Sequence, residues 1–103
     1  MKTNTSETFT LFASSAVTSL TPSLYTNVYG HFADYALVTC RSGKIQYTYD
    51  GTDPSFTGHT LTEDQSVGLE GDDVIRGFRM KCVTDGSVYV TYENKQVVVA
   101  TAN

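Results

Sequence analysis

The sequence predicts an all-β fold, an antiparallel β-sandwich or jelly-roll-like small barrel of about seven strands. Three observations carry that expectation. Thr is the commonest residue and Val and Tyr are abundant, whereas Pro occurs twice and Trp is absent; these are the preferences of strands. Charged residues make up 17% of the chain, against about 25% in an ordinary domain, and uncharged polar residues fill the gap. Apolar residues recur at every second position in short segments, and turn signals separate these segments at intervals of roughly 8–12 residues. The 103 residues suit one domain spanning 1–103.

Taken in order, residues 1–7 are polar and read as a flexible arm that orders only on a partner. Phe9, Leu11 and Ala13 alternate with polar residues, which predicts a strand from Glu7 to Ala13. Thr21-Pro22 resembles a helix start, with Leu24, Tyr25, Val28, Tyr29 and Phe32 at helical spacing. Thr26, Asn27 and Gly30 oppose a long helix, so one helical turn or an irregular loop fits equally well. This aromatic segment either plugs one end of the core or docks a neighbouring subunit. Tyr35–Arg41 alternates, Arg41-Ser42-Gly43-Lys44 reads as a turn, and Lys44–Tyr49 resumes with Ile45, Tyr47 and Tyr49 on one face; together they predict a hairpin. Ser66–Glu70 is the next strand, and Glu70-Gly71-Asp72-Asp73 a turn. Val74–Val83 places Phe78, Met80 and Cys82 on one face and Arg79 and Lys81 on the other. Asp85-Gly86 then predicts a hairpin into Ser87–Tyr92. Asn94-Lys95 marks a turn and Gln96–Thr101 a last strand.

The same numbers exclude several classes. Leu, Ala, Glu and Lys are too few for a coiled coil, and the apolar content is too high for a disordered tail. A net charge of −4 argues against nucleic acid as a partner. Two cysteines, Cys40 and Cys82, are too few for a disulfide-stapled miniprotein and lack zinc-site spacing; they are either small buried hydrophobes or a cross-strand disulfide. The first twenty residues hold no unbroken apolar stretch, so no secretory signal is expected. No run of about 18 apolar residues exists to span a membrane.

No enzyme is expected. His31 and His59 are the two histidines, and no serine stands in the Gly-x-Ser-x-Gly setting of a nucleophile elbow. No pair of carboxylates is singled out for sugar hydrolysis, and no glycine pattern cradles a phosphate. No cofactor is expected. Asp50, Asp53, Asp72 and Asp73 supply oxygens of the kind calcium takes, but their order is not that of an EF-hand. Asp50-Gly51 reads better as a side-chain-to-backbone turn.

Charge is unevenly placed. Seven of the eleven acidic residues fall between Asp50 and Asp73, with no Lys or Arg between Lys44 and Arg76. Arg76, Arg79 and Lys81 then cluster on the expected Val74–Val83 strand. The layout reads either as a solvated acidic face beside a polar strand or as complementary charge between copies of the chain.

The segment Ile45–Ser55 reads IQYTYDGTDPS. Its core resembles the Tyr-Thr-x-Asp-Gly-Ser/Thr-x-Pro-Ser/Thr turn of immunoglobulin-like accessory domains attached to bacterial glycosidases and cell-surface proteins. It also resembles a motif of small bacteriophage virion structural proteins, in which a Gly-x-x-Leu segment, a short strand, a Gly turn, a strand with a central Phe and a Val-x-Val-x-Tyr strand follow. Here Gly58–Leu61, Val67–Leu69, Gly71, Val74–Arg79 and Val88–Tyr92 stand in that order, so the resemblance runs from Tyr35 to Tyr92. It implies a symmetric β-sandwich or jelly-roll oligomer, often a homotrimer, located in the virion after assembly in the host cytoplasm. The expected role is that of a capsid decoration or cement protein, with the major capsid protein and further copies of itself as partners. Tyr25, Tyr29, Phe32, Arg76 and Arg79 are the expected partner-interface residues, since aromatics and Arg dominate interface hot spots. The alternatives are a tail or head–tail accessory virion protein, and a carbohydrate-binding module using its tyrosines as stacking platforms.

Overall fold

The computed structural model describes residues 5–13, 16–26, 28, 31–54 and 58–94. Strands β1 (Thr5–Leu11) and β2 (Thr18–Ser19) come first, then a single helical turn, α1 (Pro22–Tyr25). Strands β3 (Tyr35–Thr48), β4 (His59–Thr62) and β5 (Ser66–Glu70) follow, then helix α2 (Asp72–Gly77) and strand β6 (Arg79–Glu93). The fold is all-β, with every strand pairing antiparallel in one six-stranded sheet. Six strands lie among the described residues; the expected strand Gln96–Thr101 falls outside them.

The sheet is built on two long strands. β3 and β6 pair along nearly their whole length, from Tyr35 opposite Glu93 to Thr48 opposite Arg79. On the free side of β6, β1 covers the Gly86–Tyr92 half and β2 the Arg79–Met80 end. On the free side of β3, β5 covers Tyr35–Thr39 and β4 covers Lys44–Tyr47. The flanking strands therefore leave a gap on each side, at Cys40–Gly43 of β3 and Lys81–Asp85 of β6, around the place where the β3–β6 register shifts.

This arrangement overturns both expected hairpins. Arg41–Lys44 and Asp85-Gly86 do not turn the chain back; each lies inside a continuous strand. The two glycines instead allow close backbone approach. Gly43 sits at φ +79°, and a Cβ there would lie 2.4 Å from the Thr84 carbonyl oxygen. A Cβ on Gly86 would lie 1.9 Å from the Ser42 carbonyl oxygen. Glycine inside a strand pattern serves a bulge or a close crossing as readily as a turn.

The bulge also resets side-chain parity. In β3 the buried residues are Ala36, Val38 and Cys40 before it and Ile45 and Tyr47 after it. β6 keeps one parity, burying Met80, Cys82, Val88, Val90 and Tyr92. These residues join Leu11, Leu20, Tyr25, Val28, Ala33, Leu61, Leu69, Ile75 and Phe78 in one apolar cluster on one side of the sheet. Cys40 and Cys82 are buried free thiols within it, and burial pushes both above the usual thiol range.

Two further expectations are corrected. Thr5–Glu7 is not part of an arm: it begins β1, opposite Tyr92, Thr91 and Val90. The remainder of that expected arm, 1–4, lies outside the described residues. Val74–Gly77 is helical rather than extended. Asp72 and Asp73 occupy the first turn of α2, where the helix dipole favours acids, and Arg76 pairs with Asp72 at 3.5 Å. The segment after Leu20 takes the single-turn alternative. Thr21 precedes Pro22 at the helix start but makes no side-chain cap; its hydroxyl donates to Glu7 Oε1 at 2.6 Å instead.

Candidate functional site

The Tyr-Thr-x-Asp-Gly-Thr segment forms a tight turn at the end of β3. Asp50 Oδ1 accepts from the Thr52 amide at 3.1 Å and the Thr52 hydroxyl at 2.6 Å. The Thr52 hydrogen bonds hold the Asp50 carboxyl below the usual carboxylate range. The Thr48 hydroxyl donates to the Thr52 carbonyl at 2.5 Å, and the Gly51 amide to the Gly77 carbonyl at 2.9 Å. Pro54 is buried beyond the turn. The motif thus fixes the direction in which Tyr49 leaves the sheet. Among the described residues, no three His, Cys, Asp or Glu side chains gather to hold a metal ion.

Beside this turn the aromatic side chains form a ladder from core to surface. Phe78 is buried, and Tyr47 stacks on it with ring centres 5.5 Å apart. Tyr47 meets His59, its cross-strand partner, at 5.2 Å. His59 in turn stacks on Tyr49 at 5.7 Å with the two planes 3° apart. Tyr49 is 47% exposed. Burial pushes the Tyr47 hydroxyl above the usual phenol range, and the neighbouring Tyr49 adds to it.

A cleft of about 340 Å³ opens at this ladder, lined by Tyr47, Tyr49, His59, Leu69, Glu70 and Val74 among others. A second hollow of about 200 Å³ shares Tyr49 and His59 and adds Thr48, Asp50 and Gly58. The first lies within the usual size range of ligand pockets, about 300–1,000 Å³. Tyr47, Val67 and Leu69 point to the packed side of the sheet, and Gly68 and Glu70 bring the cleft to the β5 edge.

The other side of the sheet is nearly free of charge in its β5–β3–β6–β1 half. One row across the strands is Gly68, Leu37, Thr91 and Ser6; the next is Ser66, Thr39, Tyr89 and Thr8. Thr39 and Ser66 hydrogen-bond each other at 2.8 Å. Leu37, at the centre, is 37% exposed. Beyond the register shift the same side carries Arg79 and Lys81 opposite Thr48 and Gln46.

The expected interface residues do not form one patch. Tyr25 is buried, with its ring 6.0 Å from that of Tyr92, and belongs to the core. It plugs one end of the apolar cluster, which removes it from any surface. Tyr29 lies outside the described residues. Phe32 is 45% exposed and carries the Arg76 guanidinium 4.4 Å above its ring. Arg76 stands on α2, not on a strand as expected. Arg79 is half-buried and donates to the Arg76 and Phe78 carbonyls at 2.9 Å each. Arg76→Ala is expected to change unfolding free energy by less than about 1 kcal/mol in a urea titration, because its ion pair and its ring contact are both solvent-exposed.

Tyr47, Tyr49 and His59 were not singled out by the sequence as a group. The alternation of Tyr47 and Tyr49 was visible, but only the Tyr47–His59 register brings the histidine to them.

No family model matches this chain, and no curated protein matches it. Among the described residues, no helix is long and apolar enough to cross a membrane.

Proposed function

We propose that the protein is a bacteriophage virion structural subunit, in first place a capsid decoration protein that lies against the shell and bridges its subunits without catalysis or cofactor. The observation that carries this reading is the uncharged outer face centred on Leu37. Thr39 and Ser66 bond across strands, which lowers the polar cost of burying that part of the face. Its rim is charged, with Glu70 and Glu93 opposite Tyr35, which matches an apolar-centred, polar-rimmed interface. The order of residues from Tyr35 to Tyr92 supports the same reading, except that Val74–Gly77 is a helix where the motif has a strand.

In this reading the sandwich-like or jelly-roll closure is completed between molecules. An open sheet with one packed side, and with few charges on the β5–β3–β6–β1 half of the other, takes a second layer there from the major capsid protein or from another copy, with a homotrimer as the assembly. Phe32 and Arg76 remain candidates for a peripheral contact.

Purified protein is expected to bind stripped capsids at a stoichiometry tied to lattice sites. Leu37→Lys is expected to weaken that binding at least about tenfold, while its thermal midpoint stays near that of the parent because the site is solvent-facing. Electron microscopy of the decorated particle then separates shell from tail or head–tail placement. Failure to bind any virion surface overturns the reading.

A further inference from the structure

We propose that the Tyr47–His59–Tyr49 cleft is a binding site for the pyranose rings of a neutral glycan. This inference rests on the aromatic rings and lining of the cleft, not on the face centred on Leu37, although Gly68 and Glu70 of β5 border both.

Three features select the ligand. The first is ring geometry. Tyr49 and His59 are within 3° of parallel, and Tyr47 is tilted 34° from His59. This is a stepped platform, not the box of mutually perpendicular rings that encloses a quaternary ammonium. A platform suits the flat C–H face of a sugar, which gains dispersion contacts and hydrophobic burial against an aromatic plane. The second is charge. The charged side chains lining the two hollows are Glu70 and Asp50, both acidic, and neither hollow has a Lys or Arg in its lining. An anionic ligand is therefore disfavoured. A carboxylate takes up to about four hydrogen bonds, and Asp50 Oδ1 receives two from Thr52, so hydroxyl donors on a sugar find acceptors at the rim. The third is placement. Tyr49 and His59 line both hollows, so the two hollows adjoin at this ring pair.

The site is also stiff. Phe78 supports Tyr47 from beneath, and the Asp50–Thr52 turn fixes the backbone next to Tyr49. Little side-chain freedom remains to be lost on binding.

The test uses the full chain and soluble probes: neutral gluco-, galacto- and manno-configured oligosaccharides of two to four units, and choline as the competing chemistry. Ring-proton shifts of Tyr49 and His59 in NMR titrations are the readout. At least one neutral oligosaccharide is expected to shift these signals with millimolar or tighter affinity. Tyr49→Ala is expected to weaken it roughly five- to tenfold and Tyr49→Phe to leave it within about twofold. Tyr49 is half-exposed, so both variants fold; Tyr47 is avoided because it is core. Three results would overturn the proposal: no shift with any neutral glycan at high millimolar concentration, binding that survives both Tyr49→Ala and His59→Ala, or a response to choline alone. Capsid binding by Tyr49→Ala is expected to be unaffected, which separates failure here from failure of the virion reading.

Discussion

Gly86→Ala is expected to destabilise the protein by at least about 2 kcal/mol, against about 1 kcal/mol for an average point substitution. The reason is distance. The added methyl carbon would stand 1.9 Å from the Ser42 carbonyl oxygen and 2.4 Å from its carbon. Both neighbours are backbone atoms in the middle of the longest strand pair, so neither can swing aside like a side chain. Relief requires β3 and β6 to separate where their register shifts. Gly43→Ala combines a similar clash, 2.4 Å from the Thr84 carbonyl oxygen, with a left-handed backbone at φ +79°. The left-handed conformation alone costs about 1–2 kcal/mol. Gly51 provides the control. It has φ +86° but nothing within 4 Å of a built Cβ, so Gly51→Ala is expected to show the conformational cost alone. Urea unfolding of the three variants should rank Gly86 and Gly43 well below Gly51. Equal losses at all three positions would mean that the crossing of β3 and β6 is not tight.

The same two glycines mark where sequence reasoning stops. Strand faces were legible because alternation is local: Ala36, Val38 and Cys40, or Val88, Val90 and Tyr92, declare a buried side without reference to the rest of the chain. Gly43 and Gly86 declared a break in each strand just as clearly. Their role depends on each other, however. Two breaks placed opposite one another across a ladder bend the ladder, whereas either one alone would suit a hairpin. That pairing joins residues about forty positions apart, and no local pattern encodes it. The cleft was hidden for the same reason. Tyr47 and Tyr49 read as an ordinary strand face, and His59 read as an isolated histidine, until the β3–β4 register placed Tyr47 opposite His59. Val74 and Ile75 misled in the opposite way. Their β-branched side chains favour a strand, but Gly71 and the acidic pair after it start a helix that buries Ile75.

Glu7 shows how a polar residue in a polar segment escapes notice, and it leads to the second large effect. Its Oε2 accepts from the Tyr92 hydroxyl at 2.5 Å and the Thr21 amide at 3.2 Å, and its Oε1 from the Thr21 hydroxyl at 2.6 Å. One carboxylate therefore ties β1 and β6 to the chain entering α1. Tyr92 is fully buried, and Glu7→Ala leaves its hydroxyl without this acceptor. The expected loss is about 1–3 kcal/mol. Burial, reinforced by the hydrogen bond to Glu7 and its negative charge, pushes the Tyr92 phenol well above its usual range. The sign of the pH dependence follows. Below about pH 10 the phenol is neutral in both folded and unfolded chains, and its contribution to stability is complete. Above that the unfolded chain releases the proton while the folded chain retains it. Stability then falls by about 1.4 kcal/mol per pH unit for this one group. Tyr47, whose phenol is also raised, adds to the slope in the parent, so the informative quantity is the difference between parent and Tyr92→Phe. Urea midpoints from pH 9 to 11.5 should fall more steeply for the parent, and the two curves should draw closer as pH rises. Parallel curves would mean that Tyr92 ionises as readily in the folded protein as in the unfolded one, and that Glu7 does not hold its proton in place.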